Sequence, residues 1–175
     1  MDIEKIIAGI PNADRKKRET MRHNALEKIE EGDPKWIAAA EKLLTALDQQ
    51  EASEQAELVA EMKGLEPAER VLRAFTREPA TENEAKLIQV LLDNPGSTSA
   101  ELTEKIGWKA QSWHLHFGTM CANRGVFLGP PPGSSVSSGK FYSGVLADFD
   151  QNGSLFNMKP DVALAFESIG FRPAR

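Results

Sequence analysis

From Thr98 to Leu128 the chain sets two helix signals around one glycine, and that spacing leaves few ways to fold. Thr98 with Glu101 three residues on is a capping-box pattern, and it opens a helix carrying Leu102 and Ile106. Gly107 suits the left-handed conformation that ends such a helix. A second helix is expected from Lys109 or Ala110 to Asn123, with Trp113, Phe117, Met120 and Arg124 at three- and four-residue spacing and Gly125 closing it. Val126-Phe127-Leu128 then reads as the start of a strand.

Upstream, the chain reads as almost entirely helical. Ile6, Ile7 and Ile10 make a small apolar start closed by Pro11, and Asn12 is placed to cap a helix from Ala13 to about Glu31. Asp33-Pro34 opens a second helix with Trp36, Ala39, Ala40, Leu43, Leu44 and Leu47 on one stripe. A third is expected over Ala52 to Lys63, and a short fourth over Pro67 to Thr76. Their short connections favour an antiparallel hairpin or small bundle, which we place at residues 1–78. Such helices have little core of their own, so dimerisation or recruitment of a partner is expected of them.

A boundary falls at Arg77-Glu78-Pro79-Ala80-Thr81, and a second capping box, Thr81 with Glu84, starts a helix that runs to Leu92. Beyond Leu128, Gly129 to Gly139 holds three prolines, three glycines and four serines and reads as an exposed, mobile loop. A strand is expected over Phe141 to Phe149, a hairpin turn at Asp150-Gln151-Asn152-Gly153, and a return strand over Leu155 to Met158. Pro160 and Asp161 open a last helix.

Residues 81–171 therefore resemble a winged helix-turn-helix domain. The resemblance rests on the capped helix Ser99–Ile106, Gly107 in the turn, the following helix, and a strand pair reached through the wing-like loop 129–139. The expected fold class is mainly α with a small antiparallel sheet, a helical hairpin or bundle followed by a winged helix-turn-helix. The resemblance implies that helix 110–123 enters the major groove of double-stranded DNA while the wing touches the backbone. Gln111, Ser112, His114 and His116 would then face base edges, and Lys105, Lys109, Arg124 and Lys140 would hold phosphates. The reading that follows is a small DNA-binding regulator of transcription.

Charge weighs against a strong phosphate grip. The chain carries a formal net charge of -5. Residues 1–80 hold 13 Lys and Arg against 17 Asp and Glu, and residues 81–175 hold 8 against 9. Neither half has the basic excess of a domain that neutralises many phosphates. The densest positive run is Arg15-Lys16-Lys17-Arg18, a second candidate DNA contact or a solvated helix face. The competing expectation is a protein-interaction adaptor or inhibitor built on the same fold, with Trp108 as the partner's anchor.

Neither metal chemistry nor catalysis finds a pattern here. His114 and His116 point about 200° apart on a helix, and His114 lies about 10 Å from Cys121 along the axis. Neither pairing closes a tetrahedral zinc site or brings a base to a thiol. Gly139-Lys140-Phe141 lacks the hydroxyl of a phosphate loop. No enzyme activity and no cofactor are expected. The single cysteine and the start Met1-Asp2-Ile3-Glu4, which lacks the order of a secretory signal, read as cytoplasmic.

Overall fold

In a computed structural model, residues 3–109, 112–133 and 140–172 are described. The fold is mainly helical, with one three-stranded antiparallel sheet near the C-terminus. Among the described residues no helix is long and apolar enough to cross a membrane. The chain divides into two compact units, Met1–Ala60 and Glu61–Arg175.

In the first unit, α1 (Ile3–Ala8) leads through a 3-10 turn (Ile10–Asn12) to α2 (Arg15–Glu30). Asp14, not Asn12, caps α2, its carboxylate accepting the Lys17 backbone N–H at 2.7 Å. The helices expected at Pro34 and Ala52 are one continuous helix, α3 (Pro34–Met62). The polar run Asp48-Gln49-Gln50-Glu51 lies within this helix, exposed except at half-buried Gln50. No glycine or proline lies between Leu47 and Ala52 to break the helix, and charge pairs to α2 run along the stretch. Arg22 meets Asp48 at 2.7 Å and Glu51 at 3.1 Å, and Arg18 meets Glu54 at 2.8 Å. The Arg18 bond, followed by one from Gln50, holds the Glu54 carboxyl below its usual value. A small core of Ile10, Ala25, Ala40, Leu43 and Leu47 closes this unit.

The second unit begins earlier than expected. Helix α4 (Pro67–Arg77) packs on α9 (Pro160–Ser168), where Phe75 meets Phe166 edge-on at 5.0 Å. It belongs to the C-terminal unit, which moves the boundary from the proline near residue 79 to residue 60. Helix α5 (Glu82–Asp93) starts at the Thr81/Glu84 capping box, as the sequence indicates. Strand β1 (Ser97–Thr98) follows, then α6 (Ser99–Ile106) and α7 (Trp113–Asn123).

Val126-Phe127-Leu128 is not a strand. Gly125–Leu128 forms a short helix, α8, which buries Phe127 and Leu128 and packs on α4. A three-residue apolar run satisfies either structure, and here the partner decides. The expected strand at Phe141 is instead a 3-10 turn (Tyr142–Val145) followed by β2 (Ala147–Asp150). β3 (Leu155–Met158) returns as expected. The sheet order is β1-β3-β2, with Phe149 opposite Phe156 and Ser97 opposite Phe156 on the other side. The hairpin tip is therefore the segment between Asp150 and Leu155. The Pro-Gly-Ser loop lies before β2, and its residues 134–139 fall outside the described residues.

Candidate functional site

Three features fix the approach of α6 to α7. The Thr98/Glu101 capping box sets the start of α6, with the Glu101 carboxylate accepting the Thr98 N–H at 2.7 Å. Gly107 ends it at φ 80°, ψ 21°, the left-handed conformation that glycine adopts without strain. The third feature is a pair of hydroxyls one helical turn apart on α6. Thr103 Oγ1 accepts the backbone N–H of Trp113 at 2.9 Å while donating to Ser99 O at 2.6 Å. Ser99 Oγ accepts the backbone N–H of His114 at 3.3 Å and pairs with its Nδ1 at 2.8 Å. Ser112, at the N-cap position of α7, makes no side-chain cap bond. Two orphan donors of α7 are thus capped from α6 rather than from the preceding residue.

Below this junction Trp113 is fully buried. Its indole N–H donates to Leu87 O at 3.0 Å, its ring stacks on Phe117 at 4.5 Å, and Phe156 meets it edge-on at 5.0 Å. The Trp113 side chain thus ties α5, α7 and β3 together. The outward face of α7 presents His114, Leu115, His116, Thr119 and Asn123. Leu115 is 61 % exposed in the middle of that face. Trp108 is half-buried and meets His116 edge-on at 5.0 Å.

The expected cations divide sharply. Lys105, Lys109 and Lys140 are exposed. Arg124 is not; it is 4 % exposed, and the expectation that it holds phosphate is corrected. Its guanidinium takes the Glu84 carboxylate at 2.8 and 3.0 Å, the Glu78 carbonyl at 3.0 and 3.2 Å, and lies 4.5 Å from the centre of the Phe75 ring. It welds the end of α4 and the start of α5 to the end of α7. Burial pushes the Glu84 carboxyl up, but Arg124 and the Thr81 backbone N–H outweigh it and leave the group below its usual value.

Of the other sequence-derived candidates, Ser112 is half-buried, while Gln111 lies outside the described residues. Arg15, Lys16, Lys17 and Arg18 stand on α2 in the first unit. Arg15 pairs with Glu19 and Arg18 with Glu54, whereas Lys16 and Lys17 are exposed. Cys121 is buried, and burial pushes its thiol up to about 12, far from a nucleophile's range. Among the described residues, groups of three or more His, Cys, Asp or Glu placed to hold a metal are absent.

The sequence did not disclose a cleft of about 780 Å³ beside the first turn of α7. Phe141, Phe149 and Phe156 supply its apolar lining, and Ser99, His114 and Asp148 are polar groups at it. Gly144 lets its wall close: a Cβ there would lie 2.4 Å from Phe141 and 2.7 Å from Pro132. Phe149 and Phe156 fall on the two strands expected from the sequence, but the distance in sequence from Ser99 to Phe149 hid their meeting.

Comparison of the chain with protein-family models, curated proteins and solved structures finds no match.

Proposed function

We propose that the second unit is a winged helix-turn-helix module that binds double-stranded DNA through α7. One observation carries this reading: β1 pairs with β3 directly before α6 begins, which ties the α6–α7 pair to the β2–β3 hairpin as one body. A rigid body that offers a helix and a hairpin together can seat the helix in a major groove and the hairpin on the adjoining backbone. The outward polar groups of α7 are His114, His116, Thr119 and Asn123, with Lys105 and Lys109 flanking the turn as phosphate contacts.

With Arg124 buried, the footprint is thin. Lys105, Lys109 and Lys140 make three phosphate contacts per copy, giving a slope of log affinity against log salt of about -3. The test is fluorescence anisotropy of labelled duplex DNA over a salt series. A slope near that value, reduced by about one for each lysine replaced by alanine, supports groove binding. Absence of binding in low salt overturns it.

A second reading has its own observation. Leu115 stands exposed at the centre of the face that would enter the groove, flanked by the Trp108–His116 pair. An apolar side chain there suits a protein partner, making the domain an adaptor or inhibitor that does not bind DNA. Leu115→Lys discriminates: the added charge strengthens DNA binding and disrupts a protein interface. In either reading the first unit, with its small core, supplies self-association as a homodimer.

A further inference from the structure

The phenylalanine-lined cleft touches Ala147, Asp148 and Phe149 in succession. Alternate residues of a strand face opposite sides of a sheet, so a cleft that meets three in a row reaches the edge of the strand. β2 is such an edge: the order is β1-β3-β2 and, among the described residues, no other strand pairs with it. The phase of the ladder fixes which backbone groups face outward. The Lys159 N–H donates to Leu146 O at 3.0 Å, which makes Ala147–Met158 and Phe149–Phe156 the non-hydrogen-bonded pairs of β2 and β3. The Phe156 carbonyl is accordingly turned away from β2 and accepts the Gly96 N–H at 2.9 Å. The N–H and C=O of Ala147 and of Phe149 therefore point away from β3. Ala147 is buried, whereas Phe149 is half-buried between exposed Asp148 and exposed Asp150, so the accessible stretch of the edge centres on Phe149.

An outward N–H and C=O on an edge strand are a template for another strand. We infer that β2 accepts an extended peptide of a partner protein as a fourth strand, in which apolar and basic side chains alternate. The peptide residue opposite Phe149 exchanges two hydrogen bonds with it, one to its C=O and one from its N–H. That residue turns its side chain to the Phe149 face, where Phe141 and Phe149 wall the cleft with ring centres 5.8 Å apart. Its two neighbours turn to the other face, beside Asp148 and Asp150, and opposite charges directly across a ladder are favourable. The same aspartates rule against a second copy of the chain. β2 paired antiparallel with itself about Phe149 sets Asp148 of each strand opposite Asp150 of the other, and like charges so placed are unfavourable. The inference does not rest on the DNA-binding reading, because the outward face of α7 takes no part in it.

The test titrates the full-length protein into a fluorescein-labelled peptide of sequence Val-Arg-Val-Arg-Val and follows its anisotropy. The expected result is saturable binding that weakens about tenfold when the central valine is N-methylated, which deletes the hydrogen bond to Phe149 O. A peptide of the same composition ordered Arg-Arg-Val-Val-Val cannot place apolar and basic groups on opposite faces, and binds no better than the methylated one. Asp148→Lys, at an exposed position, weakens binding of the alternating peptide by about fivefold, and a circular dichroism melt establishes that the variant remains folded. Equal affinity for the alternating, methylated and reordered peptides reduces the effect to charge attraction and overturns the inference. Failure of all three to bind overturns it as well. Sedimentation velocity in which the alternating peptide splits a dimer of the unaltered protein makes a second copy the occupant of the edge, and overturns the assignment to a partner protein.

Discussion

The hydroxyl of Thr103 accepts the backbone N–H of Trp113 at 2.9 Å, so that a side chain of α6 caps the first turn of α7. The contact spans ten residues and sets the angle at which α7 leaves the turn. Thr103→Val keeps the side-chain shape and deletes the acceptor, stranding a part-buried donor. We expect a loss of about 1–2 kcal/mol in urea denaturation. Thr103→Ser restores the bond and most of the loss.

Arg124 and Glu84 make the strongest electrostatic prediction for stability. Their side chains are 5 % and 16 % exposed, so removal of one leaves the other charged in a poorly solvated place. Arg124→Met is expected to cost about 3 kcal/mol, whereas alanine at exposed Lys105 or Lys109 shifts stability by less than about 0.5 kcal/mol. The same denaturation series checks all three.

The pair also sets a pH dependence. The folded Glu84 carboxyl titrates below its unfolded value of about 4.5, so its contribution is complete above that pH and is lost as pH falls through the folded value. Urea midpoints measured from neutral pH to about pH 3 should fall less steeply for Glu84→Gln, which starts less stable and has no such proton to bind. Parallel curves for the two proteins would contradict the linkage.

Cys121 is expected to resist thiol reagents in the native protein. Buried, and with its thiol pushed up to about 12, it offers neither access nor thiolate at neutral pH. Labelling with iodoacetamide should proceed only at the rate at which the second unit opens, and should become rapid in urea.

Much of the second unit is legible in the chain because its signals are local. The capping boxes at Thr81 and Thr98 need only a residue three positions on, and Gly107 needs only its own backbone freedom. The hairpin turn after Asp150 is likewise local, with Asn152 N–H donating to the Asp150 carboxylate at 3.0 Å. What escaped depends on partners far along the chain. Helix α4 reads as part of the first half until Phe75 meets Phe166, and Val126-Phe127-Leu128 reads as a strand until α4 receives it as a helix. Arg124 shows the same limit at the level of function. Its position at the end of α7 suggests a phosphate contact, and only Glu84, forty residues back, reveals that its charge is satisfied inside.

The most direct test of the central claim is anisotropy of a labelled duplex against the purified protein at two salt concentrations, with Lys105→Ala/Lys109→Ala alongside. Both lysines are exposed and flank the turn before α7, so this double variant keeps the fold and thins the footprint. The account predicts binding that weakens with salt and a salt slope about two units shallower in the variant. Binding that is indifferent to salt and to both lysines, or no binding in low salt at all, would contradict it.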